Sequence, residues 1–347
     1  MPGPAVESTN CPGAALKKIA LALALIVSLL GAFAYVTNAN FGPPRSGKPL
    51  LLAHRAVAQR FDAANVQRDT CTATLIKPPT HAFLENTLAS MQAAFAFGAD
   101  IVELDVHPTT DGQFAVFHDW TLDCRTDGHG VTREHAMAEL KRLDIGYGYT
   151  ADGGRSYPFR GKGVGLMPSL DEVLRTFPER SFLINIKSND PDEGLRLADA
   201  LRPLAPERRR SLMAYGGDQP IEQLRRSLPD LKVMSRGSLK SCLLRYIAAG
   251  WTGTTPAACR RMVVLVPINV APWLWGWPDR FLDRMAAADS AVFAIGAYRG
   301  GEFSSGIDTP EDMARLPNGF TGGILTNEIE WAGKALRNEQ VSPPSSR

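Results

Sequence analysis

Charge of one sign is missing from this sequence: 38 lysines and arginines stand against 36 aspartates and glutamates, a formal +2 over 347 residues. The basic residues are spread along the chain, and the one dense run, ERRR at Glu207 to Arg210, follows a helical pattern. A nucleic-acid surface needs a basic patch or stripe, so no nucleic-acid partner is expected. Cysteine is scarce, five in all, and none sits in a CxxC or Cys/His spacing that would hold zinc. No GxGxxG follows the first candidate strand, which argues against a dinucleotide-binding half.

One long uncharged apolar run is present. IALALALIVSLLGAFAYV, Ile19 to Val36, would span ~27 Å as a helix, near the minimum for a hydrocarbon core. Lys17 and Lys18 precede it, so it reads as a signal peptide or an uncleaved signal anchor with its basic end inside. The run is long for a signal core, which favours the anchor. The expected organisation is a cytoplasmic segment over 1–18, a membrane helix over 19–37 and a linker over 38–49. A folded domain over 50–335 and a polar tail over 336–347 complete it. The protein would then be a single-pass protein of the inner (cell) membrane, its domain on the periplasmic or extracellular side.

The cysteines agree with export. Cys11 precedes the run, while Cys71, Cys124, Cys242 and Cys259 follow it. An even number outside allows two disulfides. Proximity favours Cys242 with Cys259, leaving Cys71 with Cys124; four buried thiols are the alternative.

Beyond the run, short apolar stretches alternate with helical patterns. Eight candidate strands begin at Leu50, Ile101, Phe182, Ser211, Leu231, Met262, Ala291 and Gly322. Eight β/α units in one chain of this length fit an α/β TIM (β/α)8 barrel. FAVF, Phe114 to Phe117, adds a short strand in an insertion after the second barrel strand.

In a barrel, chemistry collects where strands end and βα loops begin. Those places hold His54 and Arg55, then Glu103, Asp105 and His107, then Asn185 and Lys187. Glu103 and Asp105 share a strand face about 6 to 7 Å apart, where two carboxylates repel by roughly 2 to 3 kcal/mol. A cation between them is expected. His118, beside Asp119, closes the stretch.

These residues carry a resemblance. AHRA at the first strand end, LENTLASMQAAFAFGAD, VELDVHPTTDGQFAVFHDWTLDCRTDGHG and MPSLDEVL before LINIKS resemble the glycerophosphodiester phosphodiesterase family, in order from Leu51 to about Lys187. The resemblance implies metal-dependent hydrolysis of a glycerophosphodiester to glycerol phosphate and an alcohol. By motif, His54 and His118 become the acid/base pair, and Arg55 and Lys187 the phosphate contacts. Glu103, Asp105 and Asn185 become ligands of a divalent cation, Ca²⁺ or Mg²⁺, through oxygen. Glu85 and Asn86 support the site, and His107 is a candidate lining residue. Two positions depart from the family pattern: Ala56 stands where the family has the glycine of His-Arg-Gly, and Asn185 where it has an acidic residue.

Two other functions stay open at this level. The departures allow a catalytically weak barrel that binds phosphodiesters. APWLWGWPDRF, Ala271 to Phe281, follows the sixth barrel strand and could form an aromatic rim, as in a phospholipase acting on intact membrane lipid; packing at a helix start is the alternative for those tryptophans.

Overall fold

The structure, a computed structural model, describes residues 12–43, 45–61, 66, 70–300 and 305–337. Cys11, most of the expected cytoplasmic segment and most of the polar tail lie outside the described residues.

Nine strands form one sheet: β1 (Leu51–Ala53), β2 (Ile101–Pro108), β3 (Phe114–Val116), β4 (Ser181–Ile186), β5 (Leu212–Gly216), β6 (Lys232–Ser235), β7 (Val263–Pro267), β8 (Ala291–Ile295) and β9 (Gly323–Thr326). Eight of them run in the order β6-β5-β4-β2-β1-β9-β8-β7, with parallel ladders. β6 and β7 meet at the seam without a shared ladder, so the barrel is nearly closed. β3 stands off this path, antiparallel to β2. The chain is thus a TIM barrel with an insertion after its second strand, and every expected strand is present.

The helices are α1 (Pro12–Asn38), α2 (Leu88–Ala96), α3 (Met137–Leu140), α4 (Leu170–Thr176), α5 (Pro191–Leu201), α6 (Pro206–Arg210), α7 (Asp218–Ser227), α8 (Arg236–Ala249), α9 (Asp279–Ala287), α10 (Pro310–Met313) and α11 (Ile329–Leu336). Helices outside the barrel cover its strands, so strands such as β1 and β7 are buried along their whole length and read as unbroken apolar runs. Local chemistry sets the starts. Thr87 and Ser90 cap α2 reciprocally, and Ser169 with Glu172 does the same for α4.

Between β3 and β4 the insertion builds a second core around Leu122, Met137, Leu140, Tyr149, Phe159 and Met167. The Cys71–Cys124 disulfide ties it to the segment before α2, and Cys242–Cys259 ties the middle of α8 to the approach to β7. Both expected pairings form.

α1 carries an apolar stretch, Leu16–Asn38, of mean hydropathy 2.5, and none of its most apolar window is buried against the barrel. Its end is fixed, however. Arg284 donates to the carbonyl of Thr37 and to Asn38 Oδ1, and Asn38 Nδ2 donates to the carbonyl of Trp251. The linker continues along α9 through Asn40 to Asp279 and Arg45 to Asp283.

Candidate active site

β1 ends in a sharp turn. Arg55 and Ala56 both take left-handed angles, φ 57° and 65°, which brings His54 and Arg55 back into the barrel mouth. The Arg55 N–H donates to Glu103 Oε2 at 3.0 Å, while its guanidinium lies 3.2 Å from Glu85 Oε1 and 3.5 Å from Asp105 Oδ2. Left-handed geometry costs an L-residue ~1–2 kcal/mol, and the buried Ala56 methyl returns ~0.8 kcal/mol. An Ala56→Gly variant is therefore expected to gain up to about 1 kcal/mol, seen as a higher thermal midpoint. A lowered midpoint would mean that packing of the methyl outweighs the backbone strain.

Glu103 and Asp105 lie fully buried on the inward face of β2. Asp105 is the centre of the cluster. Asn86 Nδ2 donates to its Oδ2 at 3.0 Å and Asn185 Nδ2 to its Oδ1 at 2.8 Å, and Lys187 Nζ lies 3.4 Å from Oδ1. The register makes this possible, because Asp105 and Asn185 are ladder partners on β2 and β4. Burial alone would raise Asp105, but Lys187, His118 and Arg55 hold it well below the usual carboxylate range. Glu103 is different: burial and the Asp105 charge push it up to about 8, against the pull of the Tyr215 hydroxyl, which donates to Oε1 at 2.7 Å.

Two buried carboxylates that resist joint ionisation form a donor set that one hard divalent cation would relieve. The third expected ligand, Asn185, turns its amide N–H₂ to Asp105, and a rotation of that amide would offer its oxygen instead. No group of three or more His, Cys, Asp or Glu side chains able to hold a metal occurs among the described residues. The set is two carboxylates and an amide, which fits a cation that keeps part of its water shell.

The two expected acid/base histidines are held by different partners. His54 Nδ1 lies 2.6 Å from Asn327 Oδ1, and the Asn327 N–H₂ donates to Asp308 Oδ2 at 2.8 Å. That second bond fixes the amide's orientation, so its oxygen faces His54 and Nδ1 carries the proton. His118 Nδ1 lies 2.6 Å from Asp119 Oδ1, and Asp119 Oδ2 accepts from Arg125 Nε at 2.8 Å. Burial would raise Asp119, but Arg125 and His118 hold it low, so this carboxylate only accepts and again Nδ1 of His118 is protonated. Both Nε2 atoms are left as lone pairs. Burial first, then Arg55, pulls each imidazole down to about 4, so both are neutral at pH 7.

Arg125 was not visible as a site residue in the sequence. It is almost wholly buried and bonds Asp119, Tyr149, Thr72 and Glu85. Its neighbour Cys124 is bridged to Cys71, the neighbour of Thr72, so the disulfide frames this network. Asn327 and Asp308 were also missed; their signal was position, since Asn327 directly follows the last barrel strand. His107 is buried with Nδ1 unpartnered, its Nε2 3.4 Å from the His118 carbonyl and its ring against Trp120. His81 bonds Gln59, and His129 and His135 lie in the insertion away from the cluster. A cavity of about 150 Å³ opens beside His54 and Arg55, walled by Gln59, Arg60, Asp308 and Glu328.

Residues 71–214 match the glycerophosphoryl diester phosphodiesterase family. At 30% identity over 261 residues the chain aligns with a glycerophosphodiester phosphodiesterase of Caldanaerobacter subterraneus subsp. tengcongensis, covering 71% of this chain and 89% of that relative. The chain belongs to the glycerophosphodiester phosphodiesterase family. It is a phosphoric diester hydrolase of a family that hydrolyses glycerophosphodiesters and is generally metal-dependent. Solved structures share its fold. The glycerophosphoryl diester phosphodiesterase domain of protein Rv2277c from Mycobacterium tuberculosis superposes with TM-score 0.60 at 16% identity, over 83% of this chain and 99% of that one. An Oleispira antarctica phosphodiesterase, solved with its product sn-glycerol-3-phosphate, gives TM-score 0.51 at 17% identity, over 84% and 98%.

Proposed function

We propose that this chain hydrolyses glycerophosphodiesters to glycerol phosphate and an alcohol, with His54 and His118 as the acid/base pair and a divalent cation held by Glu103, Asp105 and Asn185. The observation that carries the reading is the pair of imidazoles, each pinned at Nδ1 with its lone pair on Nε2, that of His54 lying 3.8 Å from Glu103 Oε2, beside a buried cluster of two carboxylates and two cations. The cation, Ca²⁺ or Mg²⁺, would polarise a phosphoryl oxygen and neutralise charge as it develops.

The chain's own groups account for the rest. Arg55 and Lys187 bind the anionic phosphodiester and stabilise the added charge of the transition state. His54 is held by an uncharged amide, which suits a neutral base; it takes the proton of the attacking hydroxyl on Nε2. His118 is held by a carboxylate that favours imidazolium; burial first, then Arg55 and Lys187, depress it, and the charge of a bound phosphodiester offsets the two cations. It delivers a proton to the departing alkoxide. With the glycerol hydroxyl as nucleophile, the O–P bond to glycerol forms, the bond to the alcohol breaks and a cyclic phosphate results. Water then opens the ring with the histidines' roles exchanged, leaving glycerol phosphate.

α1 is the single-pass anchor over 19–37, with 38–49 as linker, 50–335 as barrel, and the barrel outside the inner (cell) membrane. Two disulfides support an oxidising compartment. The aromatic-rim alternative has less support: the side-chain hydrogen bonds of the Ala271–Phe281 stretch run to α8, α9 and the segment just after α1, not to the site. Trp277 packs on Phe281 and Phe320, the helix-start alternative.

A chelator should abolish hydrolysis of deacylated glycerophosphodiesters, and added Ca²⁺ or Mg²⁺ should restore it. Asn185→Glu should lower the metal concentration needed for half-maximal rate, since a third carboxylate adds charge. Chelator-insensitive turnover would remove the metal from the mechanism; a folded protein inactive at saturating metal on every diester tried would leave the binding barrel, and preference for intact lipid would favour the phospholipase.

A further inference from the structure

Aromatic side chains from three separate elements gather where α1 leaves the barrel. On α1 and just after it, Tyr35 and Phe41 are exposed and meet edge to face, with ring centroids 6.1 Å apart. Trp251, after α8, meets Phe33 of α1 in the same geometry at 6.1 Å. Trp273 and Trp275, in the β7–α9 loop, are both exposed, Trp273 to 71%. Trp275 donates its indole N–H to the carbonyl of Ile247, one helical turn from the exposed Leu244. The indole and aliphatic surfaces of the loop, α8 and α1 are thereby brought to one flank.

Single exposed aromatics are ordinary, but a cluster from three elements is not. Its position says what covers it. Leu16–Asn38 would extend ~34 Å as a helix, slightly more than the ~30 Å of a bilayer's hydrocarbon core. Phe33 lies more than a turn inside that stretch, so its contact partner Trp251 stands at the depth where hydrocarbon gives way to headgroups. Tryptophan and tyrosine favour that layer because one end of the ring is apolar and the other bonds to water or headgroups. The barrel cannot swing away from it, since Arg284 grips Thr37 and Asn38, and Arg280 and Asp279 hold Ala39 and Asn40. Exposed Lys240 and Arg245 on α8 flank Leu244 and suit anionic headgroups.

We propose that this collar, formed by Tyr35, Phe41, Leu244, Trp251, Trp273 and Trp275, beds one flank of the barrel in the headgroup layer of the membrane that α1 spans. The proposal rests on the reading of α1 as an anchor. It gives the barrel a fixed attitude to the lipid surface in place of a tether.

The test uses the full chain in vesicles of phosphatidylcholine and phosphatidylglycerol whose acyl chains are brominated close to the headgroup. Bromine should quench tryptophan emission. Trp273→Ser should lose about a third of the quenching, as one of three collar tryptophans at the interface, and Leu244→Trp should increase it. Hydrolysis of a soluble substrate should be unchanged in both. Insertion of α1 is read separately, from protection of Leu25→Cys, in a Cys11→Ser background, against a charged maleimide. Protection of Leu25→Cys with quenching unaltered by either variant would overturn the collar while leaving the anchor intact. Labelling of Leu25→Cys would remove the anchor, and the collar with it. Disulfide-linked dimers of Trp273→Cys in the vesicles, without lipid quenching, would assign the patch to a second copy of the chain and overturn the proposal.

Discussion

His118→Ala and His54→Ala should each lower kcat on a glycerophosphodiester by about 10²- to 10⁴-fold, the range expected when a positioned proton-transfer group is removed. The two losses should respond differently to the leaving group. An aryl diester that expels nitrophenolate needs no proton on departure, so it should restore much of the rate to His118→Ala and little to His54→Ala. Steady-state kinetics on both substrates check this. Equal rescue of both variants, or near-normal turnover of either on the alkyl diester, would sink the assignment of roles. Asn327→Leu removes the group that orients His54, together with its hydrogen bond to Asp308, and keeps the imidazole, so it should lose less than His54→Ala on the same substrate.

Arg125→Met should destabilise the fold by about 3–5 kcal/mol, because it strips a buried cation from two carboxylates and leaves Glu85 with Arg55 alone and Asp119 with His118 alone. Glu85 and Asp119 both depend on this guanidinium, at 3.1 and 2.8 Å. Tyr149 and Thr72 lose hydrogen bonds of 2.6 Å as well. Denaturant unfolding measures the loss. The soluble fraction should also show reduced kcat, since Asp119 would no longer be held against His118. A cost below about 1 kcal/mol would mean that the carboxylates rehydrate or protonate without penalty, and that the network is not what holds the insertion to the barrel.

The barrel was legible because parallel strands buried on both faces leave a plain trace, short apolar runs at regular intervals, and all nine were found. Glu103 and Asp105 were legible for the opposite reason: polar residues alternating inside such a run have no bland place to go. The disulfides followed from count and proximity. What could not be read was who holds whom across the barrel. Asn327 lies 273 residues from His54, brought near by the β1–β9 ladder. Arg125 looks like any surface arginine until the insertion folds over it. The tryptophans of the β7–α9 loop allowed either a rim or packing at a helix start, and sequence did not choose between them; the hydrogen bonds of Trp275 run to α8 and α9. Periodicity reports which face of an element is buried, and does not report which distant element covers that face.

The pairing of β1 with β9 has a consequence for when this protein can first act. His54 belongs to the opening strand of the barrel, and the amide and carboxylate that orient it come from Asn327 and Asp308, near the far end of the chain. A polypeptide still emerging from the ribosome or a translocation channel holds Glu103, Asp105, His118 and Lys187 long before it holds those partners. Until the last strand is threaded home against the first, His54 has no fixed tautomer and its proton can sit on either nitrogen. On the roles proposed above, competence therefore waits for β9, and a chain cut short before that strand carries most of the site residues without the partners that orient His54.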